Sequence, residues 1–228
     1  MRGIGFVVLL LSLSLNVGHA ALIYDISMNT APLVGHVAGP FSLEFQLNDG
    51  RGIGDANNTA TLTNFLFNGG AAVGSSTLTG GATGNLTSGV SLTDSSFFNQ
   101  FIQGFTPGSA LSFRLSLSTN VDSGGTPDEF SFAILDHTGT EIPTLASFFD
   151  VFVQIDIDSA NPVVHTFATD TSRTPEGGGG PINIASPTAT PVSSVPEPTR
   201  LSLTLSGLAA LVAWKHRPRR YSAWLHNN

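Results

Sequence analysis

Cysteine is absent from this 228-residue sequence. Its absence excludes disulfides, thiolate nucleophiles and cysteine-ligated metals, so packing or an oxygen-ligated ion must supply stability. Lysine is missing from Ala21 to Ser194, where the only basic residues are Arg51, Arg114 and Arg173, against fifteen carboxylates. A stretch with a charge near −12 repels phosphodiesters and anionic lipid, which argues against nucleic acid as a partner. It suits an extracellular matrix, divalent cations or neutral sugars. HExxH, GxSxG and any cysteine–histidine pairing are also missing, and His36, His137 and His165 lie far apart in sequence. The expected protein is therefore not an enzyme. A hydrolase with an unrecognised carboxylate pair is the remaining catalytic reading.

Charge is scarce in a different way at the N-terminus, where Arg2 is the only charged residue among the first twenty. An apolar run from Ile4 to Leu15 follows it, then the small residues Gly18 and Ala20. A basic start, a short apolar core and a small-x-small site predict a signal peptide over 1–20, cleaved after Ala20. The protein is expected to be exported.

Beyond that point the sequence predicts strands. FSLEFQL alternates Phe41, Leu43, Phe45 and Leu47 with Ser42, Glu44 and Gln46, and ALSFRLSLS places Leu111, Phe113, Leu115 and Leu117 inward with Arg114 outward. A period of two gives one buried and one solvated face, as in antiparallel sheets. Further strands are expected in 22–27, 59–67, 85–92, 129–136, 148–157 and 162–169. SSFFNQFIQGF reads as an irregular strand, with a short helix as the alternative. Glycine- and asparagine-rich pieces such as NGGAAVG and TGGATG read as turns. The expected fold is all-β, an antiparallel β-sandwich or jelly roll over 21–170. Its sixteen phenylalanines, all but Phe6 in the body, fall mostly on inward positions. With Tyr24 its only tyrosine and no tryptophan before Trp214, the body is short of aromatic platforms for sugar. Residues 171–194, rich in Pro, Gly, Ser and Thr, predict a flexible linker with little to bury.

The C-terminal part carries the most specific signal. Val195-Pro196-Glu197-Pro198 precedes a 14-residue uncharged stretch, Leu201 to Trp214, and then Lys215, Arg217, Arg219 and Arg220. A 14-residue helix covers about 21 Å, short of a ~30 Å hydrocarbon core, but the basic cluster favours a cytoplasmic end and can snorkel. A permanent anchor and a removable label both fit these features. The combination resembles the PEP-CTERM sorting signal of Gram-negative bacteria, over 195–220, with 221–228 as a tail. The resemblance implies a short transmembrane helix, transient anchoring in the inner membrane and recognition by an exosortase, a membrane-embedded cysteine transpeptidase. Cleavage near Pro196–Pro198 would then deliver the protein to the cell surface or the exopolysaccharide and biofilm matrix. The body, through LIYDI, SLEFQLNDG and EFSFAILDHTG, also resembles a single-domain group of PEP-CTERM proteins of undefined activity.

Two functions are thus expected: a non-enzymatic matrix protein or, alternatively, a carbohydrate-binding module that tethers to exopolysaccharide. Calcium is the candidate cofactor. Asp49 and Asp55 in one oxygen-rich turn, and Asp122 and Asp128 in another, are the candidate ligands, although neither loop has EF-hand spacing. The alternative is that these acidic turns only keep the body soluble.

Overall fold

The computed structural model describes residues 21–192, apart from 52, 53 and 123. The chain divides into two units, 1–193 and 194–228, and all described residues belong to the first. The expected cleavage residues Gly18 and Ala20, the Val195–Pro198 motif and the Lys215, Arg217, Arg219, Arg220 cluster lie outside the described residues. So does the stretch 201–214, expected to be an apolar helix; among the described residues no helix is long and apolar enough to cross a membrane.

The described part is all-β, with two six-stranded antiparallel sheets forming a sandwich. The first sheet contains β1 (Leu22–Asn29), β3 (Thr59–Leu66), β5 (Gly81–Asn85), β6 (Gly89–Thr93), β8 (Ala110–Leu117) and β12 (Thr188–Pro191). Their order is β12-β1-β8-β3-β6-β5. The second sheet contains β2 (Phe41–Asn48), β4 (Ala71–Thr79), β7 (Gln100–Thr106), β9 (Asp128–Leu135), β10 (Val153–Ile157) and β11 (Val164–Thr166), ordered β11-β10-β9-β2-β7-β4. Pairing is nested: β1 with β8, β2 with β7, β3 with β6.

Alternation does produce the central strands. Phe41, Leu43, Phe45 and Leu47 of β2 and Leu111, Phe113, Leu115 and Leu117 of β8 are all buried between the sheets. Each such side chain contributes roughly 1.5–3 kcal/mol of transfer free energy. Phe45 stacks on Phe132 of β9 at 5.1 Å and meets Phe113 of the other sheet edge-on at 5.3 Å, which locks the two layers in register. Arg114 points outward, where it pairs with Asp25.

Several expectations need correction. SSFFNQFIQGF is a strand only from Gln100, and the expected 148–157 strand begins at Val153. The stretches read as turns at NGGAAVG and TGGATG contribute β4 and β5, because small residues are tolerated on edge strands. Those two strands belong to different sheets, and the chain crosses between them at Gly80 alone. There φ is +60°, and a Cβ would lie 2.5 Å from the Phe98 carbonyl oxygen, so only glycine fits.

The linker expected at 171–194 is, over its described residues, part of the domain. Ile182 and Ile184 join the hydrophobic core, and β12 adds to β1 with Tyr24 opposite Pro191 and Ser27 opposite Thr188. Ile184 exchanges hydrogen bonds with Thr169, its N–H donating to Oγ1 at 2.8 Å. Composition misleads here because two isoleucines among many Pro, Gly and Ser residues suffice to anchor the segment.

Candidate cation site and adjoining groove

Asp49 directly follows β2 and Asp128 begins β9, and the last ladder pair between these strands, Asn48 opposite Glu129, brings the two aspartates to one corner. Asp122, on the β8–β9 loop, completes the group. One carboxylate oxygen from each of Asp49, Asp122 and Asp128 lies within 4.8 Å of the others. Oxygens sharing a calcium shell of 2.3–2.6 Å radius stand at most about 5 Å apart, so this spacing fits one hard cation. No sulfur or imidazole belongs to the set, which disfavours zinc.

The loops are tied by hydrogen bonds that fix these oxygens. Asp49 Oδ1 accepts from the Arg51 N–H at 2.8 Å, and Oδ2 accepts from the Gly54 N–H. Asp128 Oδ1 accepts from the Gly50 N–H at 3.0 Å, and its Oδ2 from Asn58 Nδ2 at 2.8 Å. Gly50 must be glycine because a Cβ would sit 2.1 Å from the Pro127 carbonyl oxygen. Asp122 Oδ1 accepts from Asn57 Nδ2 at 2.6 Å, while Asp122 Oδ2 and Asn57 Oδ1 are buried with no hydrogen-bond partner. Asp55 stands outside the triad, joined to it through the same Asn57 amide at 3.0 Å.

A further carboxylate, Asp94, buried like Asp49 and Asp128, adjoins the half-buried Asp122 and the rest of the triad. Burial, and then a hydrogen bond to Asp128, pushes its pKa up to about 7, against the opposing Asn58 N–H. The ion pairs among the described residues join Arg114 to Asp25 and Arg173 to Asp150 and Asp170, and none reaches Asp94, Asp122 or Asp128. Buried carboxylates without a compensating charge are costly, and a divalent ion would supply that charge.

Beside this corner a groove of about 780 Å³ opens on the outer face of the second sheet. Glu44, Gln46, Glu129, Ser131, Gln154 and Asp156 form its floor, from β2, β9 and β10. Asp49, Gly50, Thr126 and Pro127 line it too, so the groove and the cation site share Asp49. Phe97 and Phe98 on the β6–β7 loop and Phe148 and Phe149 on the β9–β10 loop also line it, all four exposed and Phe148 91% so, together with Asn48 and Glu141.

The groove corrects one expectation. The outer face of β2 is not simply solvated: Glu44 is only 3% exposed, and burial raises its pKa against hydrogen bonds from Gln46 and Gln100. The phenylalanines are mostly inward, as expected, and the exposed ones are those at the groove. The doublets Phe97-Phe98 and Phe148-Phe149 were the available signal, since adjacent residues of a strand cannot both face the core. Burial, with the neighbouring Asp156 charge second, likewise raises Glu129.

No protein-family model matches this chain, and no match was found among curated proteins or solved structures.

Proposed function

We propose that this chain is an exported, non-catalytic β-sandwich of the extracellular matrix that holds polysaccharide in the groove of its second sheet. The observation that carries this reading is the pairing of a polar floor with four exposed phenylalanines. Saccharides present hydroxyls at their edges and apolar C–H faces, which such a floor and rim complement. The nested pairing of β1 with β8, β2 with β7 and β3 with β6 is the winding of a jelly roll, an architecture used by lectin domains among others.

Calcium at Asp49, Asp122 and Asp128 is the proposed cofactor. It would brace the β2–β3 and β8–β9 loops and thereby the end of the groove. The bound ion supplies charge compensation and no chemistry. The Val195–Arg220 segment, by its resemblance to PEP-CTERM signals, would direct export, transient membrane anchoring and release by an exosortase.

Affinity electrophoresis of the mature protein through gels containing the host's own exopolysaccharide tests the groove. Retardation that weakens with a chelator is expected, with no release of reducing ends from the polymer. Unretarded migration would sink the binding reading. Intact mass of the native protein tests sorting: a species from Ala21 to about Pro196–Thr199 is expected, and retention of Asn228 overturns it.

A further inference from the structure

Hydrogen bonding along the groove floor leaves an unequal set of open groups. Successive outward side chains of β2 form a chain: Asn48 Nδ2 donates to Gln46 Oε1 at 3.2 Å, and Gln46 Nε2 donates to Glu44 Oε1 at 2.8 Å. Gln100 Nε2 also donates to Glu44 Oε1. On β10, Gln154 Nε2 donates to Glu129 Oε2 at 2.9 Å. Each of these amide nitrogens thus already has an acceptor. The buried floor atoms left with no hydrogen-bond partner at all are acceptors, Glu44 Oε2 and Asn48 Oδ1. Glu44 itself is 3% exposed and lines the groove.

Charge points the same way. Glu44, Glu129, Glu141 and Asp156 line the groove, whereas no lysine or arginine does among the described residues. None of these four carboxylates takes part in the ion pairs among those residues. A ligand for this surface must bring donors and positive charge, and it must also offer flat apolar faces to the phenylalanines. An ammonium group brings three donors and no acceptor, and it is attracted by aromatic faces. An extended peptide fits worse, because its backbone brings one acceptor for every donor and no regular series of flat apolar faces for the phenylalanines.

Resting on the saccharide reading above, we infer that the groove is selective for a cationic amino-sugar polymer, with free amines directed to Glu44 and the acidic floor. A neutral or N-acetylated polymer satisfies the rim and hydrogen-bonds to the floor, but it leaves the floor's negative charge uncompensated. An anionic polymer is repelled.

Isothermal titration of the full chain with glucosamine hexamer, N-acetylglucosamine hexamer, cellohexaose and hexalysine tests the inference. The free-amine sugar is expected to bind at least ~10-fold tighter than either neutral hexamer, the worth of about one charge-assisted hydrogen bond. Glu44→Gln should remove most of that preference, bringing the free-amine hexamer to within about 3-fold of the neutral hexamers measured on the same variant. Phe148→Ala, at a fully solvated position, should weaken every sugar without touching the fold. Equal affinity for amine and neutral hexamers overturns the cationic inference and leaves the groove reading standing. No binding of any sugar, under conditions where the chain is folded, overturns both. Hexalysine binding as tightly as the amino-sugar overturns selectivity for sugar and leaves only charge attraction.

Discussion

The backbone N–H of Gly50 donates to Asp128 Oδ1 at 3.0 Å, joining positions 78 residues apart. Gly50 lines the groove, and Asp128 belongs to the acidic triad. The next residue after Asp128, Glu129, points to the groove floor because successive side chains on β9 face opposite ways. One contact therefore ties the loop that borders the groove to the carboxylate that would bind the ion. An ion held by the triad would be linked to the shape of the groove through it.

Calcium should raise the thermal midpoint of the mature protein. At a hundred times Kd the added stability is about 2.7 kcal/mol, which for a domain of this size shifts Tm by roughly 5–10 °C. Asp122→Asn removes a ligand whose Oδ2 has no hydrogen-bond partner. It should abolish the shift while leaving the chelated protein's Tm nearly unchanged. Scanning calorimetry with calcium and with a chelator decides this, and a shift that survives the substitution rules out the triad as the site.

Removing rim aromatics should cost affinity and not stability. Phe97 and Phe148 are exposed at the groove, so alanine at either position leaves the core intact. Each is expected to weaken retention by the host polymer roughly 3- to 10-fold, the worth of about one aromatic contact. Unaltered retention with both replaced would place binding elsewhere on the molecule.

The segment after residue 170 should matter for folding. Ile184 is 1% exposed within the core, and Ile184→Ala should cost about 2–5 kcal/mol in urea unfolding. A flexible linker would show no change.

Acid sensitivity should centre on Asp136. Burial alone would raise its pKa, but hydrogen bonds from Thr138, Thr140 and Gly177 outweigh that and hold the carboxyl below the ordinary aspartate range. The stabilisation is then complete above pH ~4 and disappears as pH falls through the lower folded-state value. Asp136→Asn should destabilise by about 1–3 kcal/mol at pH 7, and the difference from the parent should shrink below pH ~4. Urea midpoints across pH 7 to 2 measure it, and a pH-independent difference would falsify the assignment.

Much of the fold was legible because β2 and β8 carry strict alternation of large apolar and polar residues. β4 and β5 were not, since Ala, Gly, Ser and Thr read as turn material unless a neighbouring strand is known to pair with them. β12 was hidden for the same reason. The acidic loops announced their chemistry through Asp and Asn at turns, which brought Asp49, Asp122 and Asp128 into view but also Asp55. Which three meet depends on β2 and β9 being neighbours, a topological fact that spacing does not contain. Glu44 looked solvated because its strand alternates; its burial depends on what lies over the outer face of its sheet.

Val192 donates its N–H to the Ile23 carbonyl at 2.8 Å, so both borders of the described chain leave from one corner, on the sheet opposite the groove. If the polymer is gripped in the groove and the chain is pulled beyond residue 192, the load reaches β12 first. β12 is a four-residue edge strand held by a single ladder to β1, so few backbone bonds resist its detachment. Single-molecule stretching should therefore record a short, low-force extension before the sandwich ruptures. The domain would carry its own slack, yielding length under flow while its ligand stays bound.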